Sequence, residues 1–203
     1  PPGLYPDEAV YANAGFTAAQ SGDFKIFFPN NNGREGLYIN ILGLILKTFG
    51  HEIWVIRAFV ATLGLLTVLA VWVLAKQLFN NERIALWSAF FIATGFWHVN
   101  FSRIGFRAIL VPLLVTLSFA FLYRGLKNFK TSNFILAGIF FGLGFHTYIA
   151  FRFTPLLLVI LLLAWWYEQR KQPPQQKPCE ACWKVLLFLA VTFVVALPIG
   201  IYF

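Results

Sequence analysis

Several long stretches of the chain contain almost no charged residue, and this feature limits the folds open to it. A helix that crosses the hydrocarbon core of a bilayer needs about 20 mostly apolar residues. Read at that length, the sequence predicts six membrane-spanning helices, at residues 53–75, 84–101, 107–124, 132–150, 153–167 and 184–203. The fifth is short, but Trp165, Trp166 and Tyr167 at its end are typical of an aromatic belt at the membrane surface. We therefore expect an all-α, polytopic integral membrane bundle.

The composition agrees with a membrane protein and argues against a nucleic-acid-binding one. Of the 203 residues, 59% are hydrophobic and 12% are charged, whereas soluble domains carry about 25% charged residues. The formal net charge is +8, but the basic residues stand in short gaps between apolar runs and form no basic patch. We expect the lipid bilayer as a partner, and no nucleic acid.

The two ends and the two cysteines give weaker indications. The chain holds no methionine, begins with Pro-Pro-Gly and stops within an apolar run, so we expect a fragment that lacks at least one N-terminal span. Cys179 and Cys182 form one Cys-x-x-Cys in a polar linker. A structural zinc site needs two further ligands, and the three histidines lie far away in sequence. We interpret these residues as loop cysteines.

Basic residues are distributed unevenly between the gaps. The two gaps after the second and fourth predicted spans hold three of them, Arg103, Arg107 and Arg152. The gaps after the first, third and fifth spans hold nine: Lys76, Arg83, Arg124, Lys127, Lys130, Arg170, Lys171, Lys177 and Lys184. By the positive-inside rule the larger set is cytoplasmic. Parity then predicts that residues 1–50 lie on the extracytoplasmic face of a cell membrane, a bacterial plasma or inner membrane.

The first 50 residues are predicted to form an outer loop of their own, ahead of the bundle at 51–203. Residues 9–21 are rich in alanine and small polar residues, and Asp7 is well placed to cap a helix that begins there. Residues 36–48 are apolar but too short to span, which predicts a helix lying in the membrane interface. A polar loop over residues 23–35 joins the two helices.

An acidic pair, Asp7 and Glu8, stands ahead of the apolar runs within the sequence Leu-Tyr-Pro-Asp-Glu. Acidic groups near hydrocarbon are costly and usually face a cavity. With this pair, the chain resembles the type C (GT-C) glycosyltransferases, especially the bacterial relatives of protein O-mannosyltransferases and of lipid A aminoarabinose transferases. Further matching residues are Arg34-Glu35-Gly36-Leu37-Tyr38, Phe101-Ser102-Arg103 with Arg107, and His146-Thr147-Tyr148 with Arg152. The resemblance covers the whole chain, as the N-terminal part of such an enzyme.

The resemblance implies transfer of a sugar from a polyprenyl-phosphate-linked donor to a protein, lipid or glycan acceptor. Such a reaction needs a base for the acceptor hydroxyl and stabilisation of an oxocarbenium-like centre, and carboxylates serve both needs. We expect Asp7 to be the general base, Glu8 to position the acceptor or a metal, and Glu35 to act at a second position. The alternatives are stabilisation of a helix N-terminus by Asp7 and Glu8, and a surface ion pair with Arg34 for Glu35.

The predicted substrate-binding residues are Tyr11, Arg103, Arg107, His146, Tyr148 and Arg152. Arg103 and Arg107 are neighbours if their segment is helical, and two such cations fit a phosphate between them. Their alternative is snorkelling to lipid headgroups, and both interpretations also apply to Arg152. His146 and Tyr148 are candidates for hydrogen bonds to sugar or phosphate, or for packing roles near the membrane surface. A divalent cation would also suit a phosphate leaving group.

A polytopic transporter or flippase, or a non-catalytic subunit of envelope assembly, would have a similar composition. Transporters tend to place ionisable groups near the middle of the membrane. Here the spans at 53–75 and 109–123 hold no acid. The candidate charges cluster at one boundary instead, which favours an enzyme that works at the membrane surface.

Overall fold

The computed structural model describes residues 3–29, 33–171 and 178–202, and 82% of the structure is helical. These residues form nine α-helices: α1 (Pro6–Ser21), α2 (Gly36–Phe49), α3 (Ile53–Phe79), α4 (Glu82–Thr94), α5 (Phe96–Phe101), α6 (Leu110–Asn128), α7 (Thr131–Gly144), α8 (Thr154–Lys171) and α9 (Pro178–Gly200). Short 3-10 helices at Arg107–Ile109 and Ile149–Phe153 precede α6 and α8. Two-residue strands β1 (Phe27–Phe28) and β2 (Arg34–Glu35) form one antiparallel hairpin. The predicted all-α membrane bundle is confirmed.

Four helical segments in the described part of the chain are long and apolar enough to cross a membrane. They are Ile53–Phe79, Arg107–Asn128, Ile149–Tyr167 and Cys182–Gly200. Each contains most of one predicted span. The first, with 27 residues, is about 40 Å long at 1.5 Å per residue, which exceeds a hydrocarbon core of about 30 Å.

The other two predicted spans differ from the helices that form. The segment predicted at 84–101 is divided at Gly95, whose φ of −63° and ψ of 127° are extended rather than helical. The helix predicted at 132–150 ends at Gly144, because turns follow and residues 149–153 belong to the next helical segment. With 14 residues α7 is about 21 Å long. Membrane crossing by these two segments stays a prediction.

The helices pack around two apolar clusters. One cluster joins α1, α2, α3 and the start of α6, and its fully enclosed side chains include Tyr38, Leu42 and Val60. The other joins α6, α7, α8 and α9 around Phe134, Phe141 and Phe188. Large apolar side chains also lie exposed on α4, α8 and α9, as expected for surfaces that face lipid: Trp87, Phe90, Phe91, Leu156, Leu163 and Phe193.

Two glycines bring α1 and α2 into direct backbone contact. A Cβ atom at Gly15 would lie 3.0 Å from the backbone nitrogen of Gly43, and one at Gly43 would lie 2.8 Å from the Gly15 Cα atom. Neither position has space for a methyl group, because the neighbouring atoms belong to the backbone. Glycine at both positions therefore sets how closely these two helices approach.

The hairpin directs two charged residues into the protein. Its register pairs Phe27 with Glu35 and Phe28 with Arg34, and the amide of Gly36 donates to the carbonyl of Ile26 at 2.7 Å. Arg34 and Glu35 are both buried as a result. The segment ahead of α3 is thus a helix, a small hairpin and a second helix, in which α1 packs on α2 and α2 packs on α3.

We expect Gly43→Ala to loosen the contact between α1 and α2. The added methyl group would overlap the backbone of α1, and overpacking of this kind costs about 1–3 kcal/mol. Scanning fluorimetry of the purified protein should show a lower unfolding temperature. Gly200→Ala is the matched control, because a Cβ at Gly200 meets nothing within 4 Å. Equal unfolding temperatures for the two variants would contradict the close contact.

Candidate active site

The first turn of α1 separates the two adjacent acids. Pro6 occupies the start of the helix, where its missing N–H costs no hydrogen bond. The Glu8 side chain turns back and accepts a hydrogen bond of 2.7 Å from the backbone N–H of Tyr5, the N-cap residue. The prediction that Asp7 caps a helix beginning at residue 9 is therefore wrong. Proline begins the helix three residues earlier, and Glu8 satisfies the free N–H.

Glu8 is enclosed and fully engaged. Its side chain is 1% exposed, and each carboxylate oxygen lies 3.2 Å from a terminal nitrogen of Arg57. The backbone amide of Gly105 also donates to Glu8 Oε1. A Cβ at Gly105 would lie 2.8 Å from the side chain of Ile56 and 3.2 Å from Glu8. Glu8 thus ties α1 to α3 and to the turn that follows α5.

Asp7 has the opposite environment. Its side chain is 53% exposed, and its Oδ1 atom lies 3.5 Å from Arg34 Nη2. The Arg34 side chain is 9% exposed, and its guanidinium lies 5.1 Å from the centre of the Tyr11 ring. A solvent-accessible carboxylate therefore stands beside a cation that the fold holds in place.

Glu35 and Arg107 form a third acid and arginine pair. Both side chains are buried and the two are in ion-pair contact. The Arg107 guanidinium also lies over the ring of Tyr148, at 5.3 Å from its centre. Its Nε atom is buried and has no hydrogen-bond partner among the described residues. The pair connects the hairpin to the start of α6.

Two tyrosines of the neighbouring helices line this cluster and remain protonated at neutral pH. Burial raises the pKa of Tyr11, and the Asp7 carboxylate adds to the rise while Arg107 opposes it. Burial also raises the pKa of Tyr38, with a further contribution from Glu8. The rings of Tyr11 and Tyr38 meet edge to face at 5.9 Å between centres. They therefore act as neutral packing groups and not as bases.

The predicted pairing of Arg103 with Arg107 on one helix does not occur. Residues 102–105 form turns, so Arg103 is exposed while Arg107 is buried against Glu35. The backbone carbonyl of Arg103 accepts a hydrogen bond from Arg57. Arg152 is also exposed, within the 3-10 helix that precedes α8.

His146 has a partner away from the acidic cluster. Its Nε2 atom lies 2.8 Å from the backbone carbonyl of Val195, so it links the end of α7 to α9. Tyr148, two residues further on, contacts both Arg107 and the ring of Phe106. The structure thus brings Tyr148 to the cluster, whereas His146 contacts the backbone of α9.

Two arginines of the cluster were not among the predicted site residues. Arg34 was considered only as a partner for Glu35, yet it pairs with Asp7, and Arg57 was assigned no role. A signal for Arg57 was present, because it is the only charged residue in the predicted span at 53–75. An ionisable residue within a span usually has a partner.

The residues present do not fit the expected divalent cation. Within the described ranges no group of three or more possible metal-ligating side chains occurs. Asp7 and Glu8 each have an arginine as counter-charge instead. We derive no step of the chemistry through a metal ion.

Comparison with known proteins fits this membrane bundle with a charged site at one end. Residues 37–202 match the family model of dolichyl-phosphate-mannose-protein mannosyltransferases. Since the match covers more than half of the chain, the protein belongs to this family and is a membrane glycosyltransferase of the GT-C type. The family implies a lipid-linked sugar donor. No curated protein and no solved structure matched the chain.

The matched region includes Arg107, Tyr148 and the other candidates after residue 37. Asp7, Glu8, Tyr11 and Glu35 lie ahead of it. The roles proposed for these acids therefore depend on their geometry and not on the family match.

The different environments of the two adjacent acids predict different effects on stability. Glu8→Gln leaves Arg57 without its carboxylate partner, and we expect a loss of about 1–3 kcal/mol in the free energy of unfolding. This is less than for a fully buried pair, because the Arg57 side chain is 26% exposed. Asp7→Asn should change stability by less than about 1 kcal/mol, as for other exposed pairs.

Denaturant titration of both variants in the same detergent would measure this difference. Equal losses, or a larger loss for Asp7→Asn, would contradict the anchoring role of Glu8.

Proposed function

We propose that this membrane glycosyltransferase transfers a sugar from a polyprenyl-phosphate-linked donor to a protein, lipid or glycan hydroxyl at the extracytoplasmic face, with Asp7 as the general base. The observation that carries the proposal is the contrast between the paired acids. Asp7 is half exposed, while Glu8 is enclosed by its hydrogen bonds. Of the two acids, Asp7 is the one that an acceptor can approach.

The reaction requires one proton transfer and one exchange of bonds at the anomeric carbon. Asp7 accepts the proton of the acceptor hydroxyl while the hydroxyl oxygen forms a bond to the anomeric carbon. The bond from that carbon to the phosphate oxygen breaks, and its electron pair leaves with the polyprenyl phosphate. This leaving group needs little protonation, so its charge is best met by cations.

The geometry favours positioning roles for Glu8 and Glu35, whose predicted catalytic roles stay predictions. Each is less than 5% exposed and each is bound to an arginine. Arg34 supports Asp7 directly, and Tyr11 supports Arg34. In this proposal Arg34, Arg57, Arg107 and Tyr11 hold the residues around Asp7 in place, and only Asp7 reacts.

The donor phosphate is assigned to exposed arginines at the same end of the bundle. Arg103 is exposed and forms no ion pair among the described residues, and its backbone is held close to Glu8 by Arg57. Arg152 is exposed on the segment that follows Tyr148. Guanidinium groups bind phosphate in a bidentate manner. Arg107 is less suited to this role, since Glu35 already neutralises it.

The charge distribution along the spans supports the proposed extracytoplasmic location. The apolar segment Arg107–Asn128 runs from the Glu35 contact at Arg107 to Arg124 and Lys127 at its other end. Lys76 lies at the corresponding end of α3. By the positive-inside rule the basic ends face the cytoplasm. The acidic cluster then faces the opposite compartment, across a bacterial plasma membrane in this proposal.

Membership of the family argues against a transporter or a flippase as the main function. The charged residues of the described site lie at the ends of helices, in turns, or near the start of a long apolar segment, as Arg57, Arg107 and Arg152 do. This arrangement is typical of a surface reaction and not of a path through the membrane.

We expect Asp7→Asn to abolish measurable sugar transfer while the protein remains folded. Loss of a general base typically lowers the rate by a factor of about 10² to 10⁴. The measurement is transfer of labelled sugar from a polyprenyl-phosphate donor by the full-length enzyme in membranes. Asp23→Asn is the matched control, because Asp23 is an exposed acid whose ion pair in the described part of the chain is with Lys25, two residues away. An Asp7→Asn enzyme as active as this control would remove Asp7 from the mechanism.

A further inference from the structure

Two adjoining cavities lie between α3 and α6, towards the end of the bundle far from Asp7. The first is about 280 Å³ in volume and is lined by apolar side chains of both helices, among them Leu66, Ala70 and Leu117. The second is about 420 Å³ and is lined by polar and basic residues. Val73, Gln77 and Arg124 line both. They therefore form one groove with an apolar part and a charged mouth.

The apolar part opens on the outer surface of the bundle. Leu66 and Leu69 on its rim are 44% and 51% exposed, whereas Ala70 and Ala120 at its floor are buried. These residues belong to helices that are long and apolar enough to cross the membrane. An exposed groove on the side of such helices is suited to an apolar chain.

The mouth carries an excess of positive charge. It is lined by Lys76, Arg124 and Lys127. Lys76 is partly neutralised, because Glu82 lies 2.7 Å from its ammonium group. Arg124 and Lys127 form no ion pair among the described residues, and both are exposed. Two cations at the entrance of an apolar groove are therefore left without a counter-charge from the described residues.

Neighbouring side chains orient the mouth. The Gln77 amide is oriented so that both of its polar atoms have partners. In that orientation its nitrogen donates to the carbonyl of Ala120 at 2.9 Å, and its oxygen accepts from Arg124 at 3.0 Å. Trp72 lies under Lys76, at 4.9 Å from the ring centre, and Tyr123 lines the same cavity. Aromatic residues at this level are typical of the boundary between hydrocarbon and headgroups.

We propose that this groove is a binding site for an anionic glycerophospholipid of the membrane. Arg124 and Lys127 bind the headgroup phosphate, and one acyl chain lies in the apolar part between α3 and α6. Basic pockets between spans on the cytoplasmic side commonly bind anionic headgroups, and guanidinium groups match phosphate well. The site lies at the opposite end of the bundle from Asp7 and does not depend on the proposed transfer reaction.

Native mass spectrometry of the full-length protein, titrated with phosphatidylglycerol or phosphatidylcholine, tests the site. Each basic residue near a membrane surface contributes about 1 kcal/mol to binding of anionic lipid. The double variant Arg124→Gln and Lys127→Gln should therefore bind phosphatidylglycerol about 30-fold more weakly. Lys130→Gln is the matched control, because Lys130 is exposed in the same connection but lines neither cavity. It should bind as the unmodified protein does.

A second variant tests the apolar part without changing charge. Ala120→Leu fills the floor of the groove and should also weaken phosphatidylglycerol binding. If Lys130→Gln lowered the affinity for phosphatidylglycerol as much as the double variant, the lipid would be attracted to the basic surface in general. That result would overturn the proposal. Equal affinity for phosphatidylcholine, or unchanged binding by Ala120→Leu, would overturn it as well.

Discussion

A buried carboxylate holds the segment that precedes α3 on the membrane bundle. Moving the charge of Glu8 out of water is unfavourable unless several groups replace the lost hydration. The Tyr5 amide, the Arg57 guanidinium and the Gly105 amide supply those groups. Because they come from the start of α1, from α3 and from the turn before α6, satisfying this one charge fixes three parts of the chain relative to each other.

The position of Asp7 follows from that constraint. Adjacent residues on a helix point in different directions, so the enclosure of Glu8 leaves Asp7 turned towards solvent. The close contact of α1 with α2 and the pairing of Glu35 with Arg107 hold the same region from its other side. The arginines act here mainly as fixed counter-charges inside the protein. Arg103 and Arg152 are exposed, and in the proposed reaction they bind the donor phosphate.

The sequence predicted the helices well where apolar runs are long. α3 and α6 lie where the runs at 53–75 and 107–124 predict them, because burial in lipid needs only length and apolar composition. The break at Gly95 and the end of α7 at Gly144 were not predicted, since composition alone does not show where the backbone leaves the helix. The acidic pair could also be identified in the sequence, but the different environments of its two members could not be predicted from it.

The partners of the charges explain this limit. The ion pairs of Asp7, Glu8 and Glu35 join residues that are 27, 49 and 72 positions apart. A single sequence does not show which residues so far apart come into contact, and local spacing suggested other partners. Arg103 and Arg107 were expected to be neighbours on a helix, whereas the turn at residues 102–105 separates an exposed arginine from a buried one.

The side of the membrane on which Asp7 lies can be measured with an impermeant thiol reagent. After replacement of Cys179 and Cys182 by serine, single cysteines would be placed at Asn13, exposed on α1, and at Lys130, exposed beyond α6. In intact cells, Asn13→Cys should react and Lys130→Cys should not, and inverted membrane vesicles should give the reverse. Reaction of Lys130→Cys from outside, with Asn13→Cys protected, would contradict sugar transfer by Asp7 at the extracytoplasmic face.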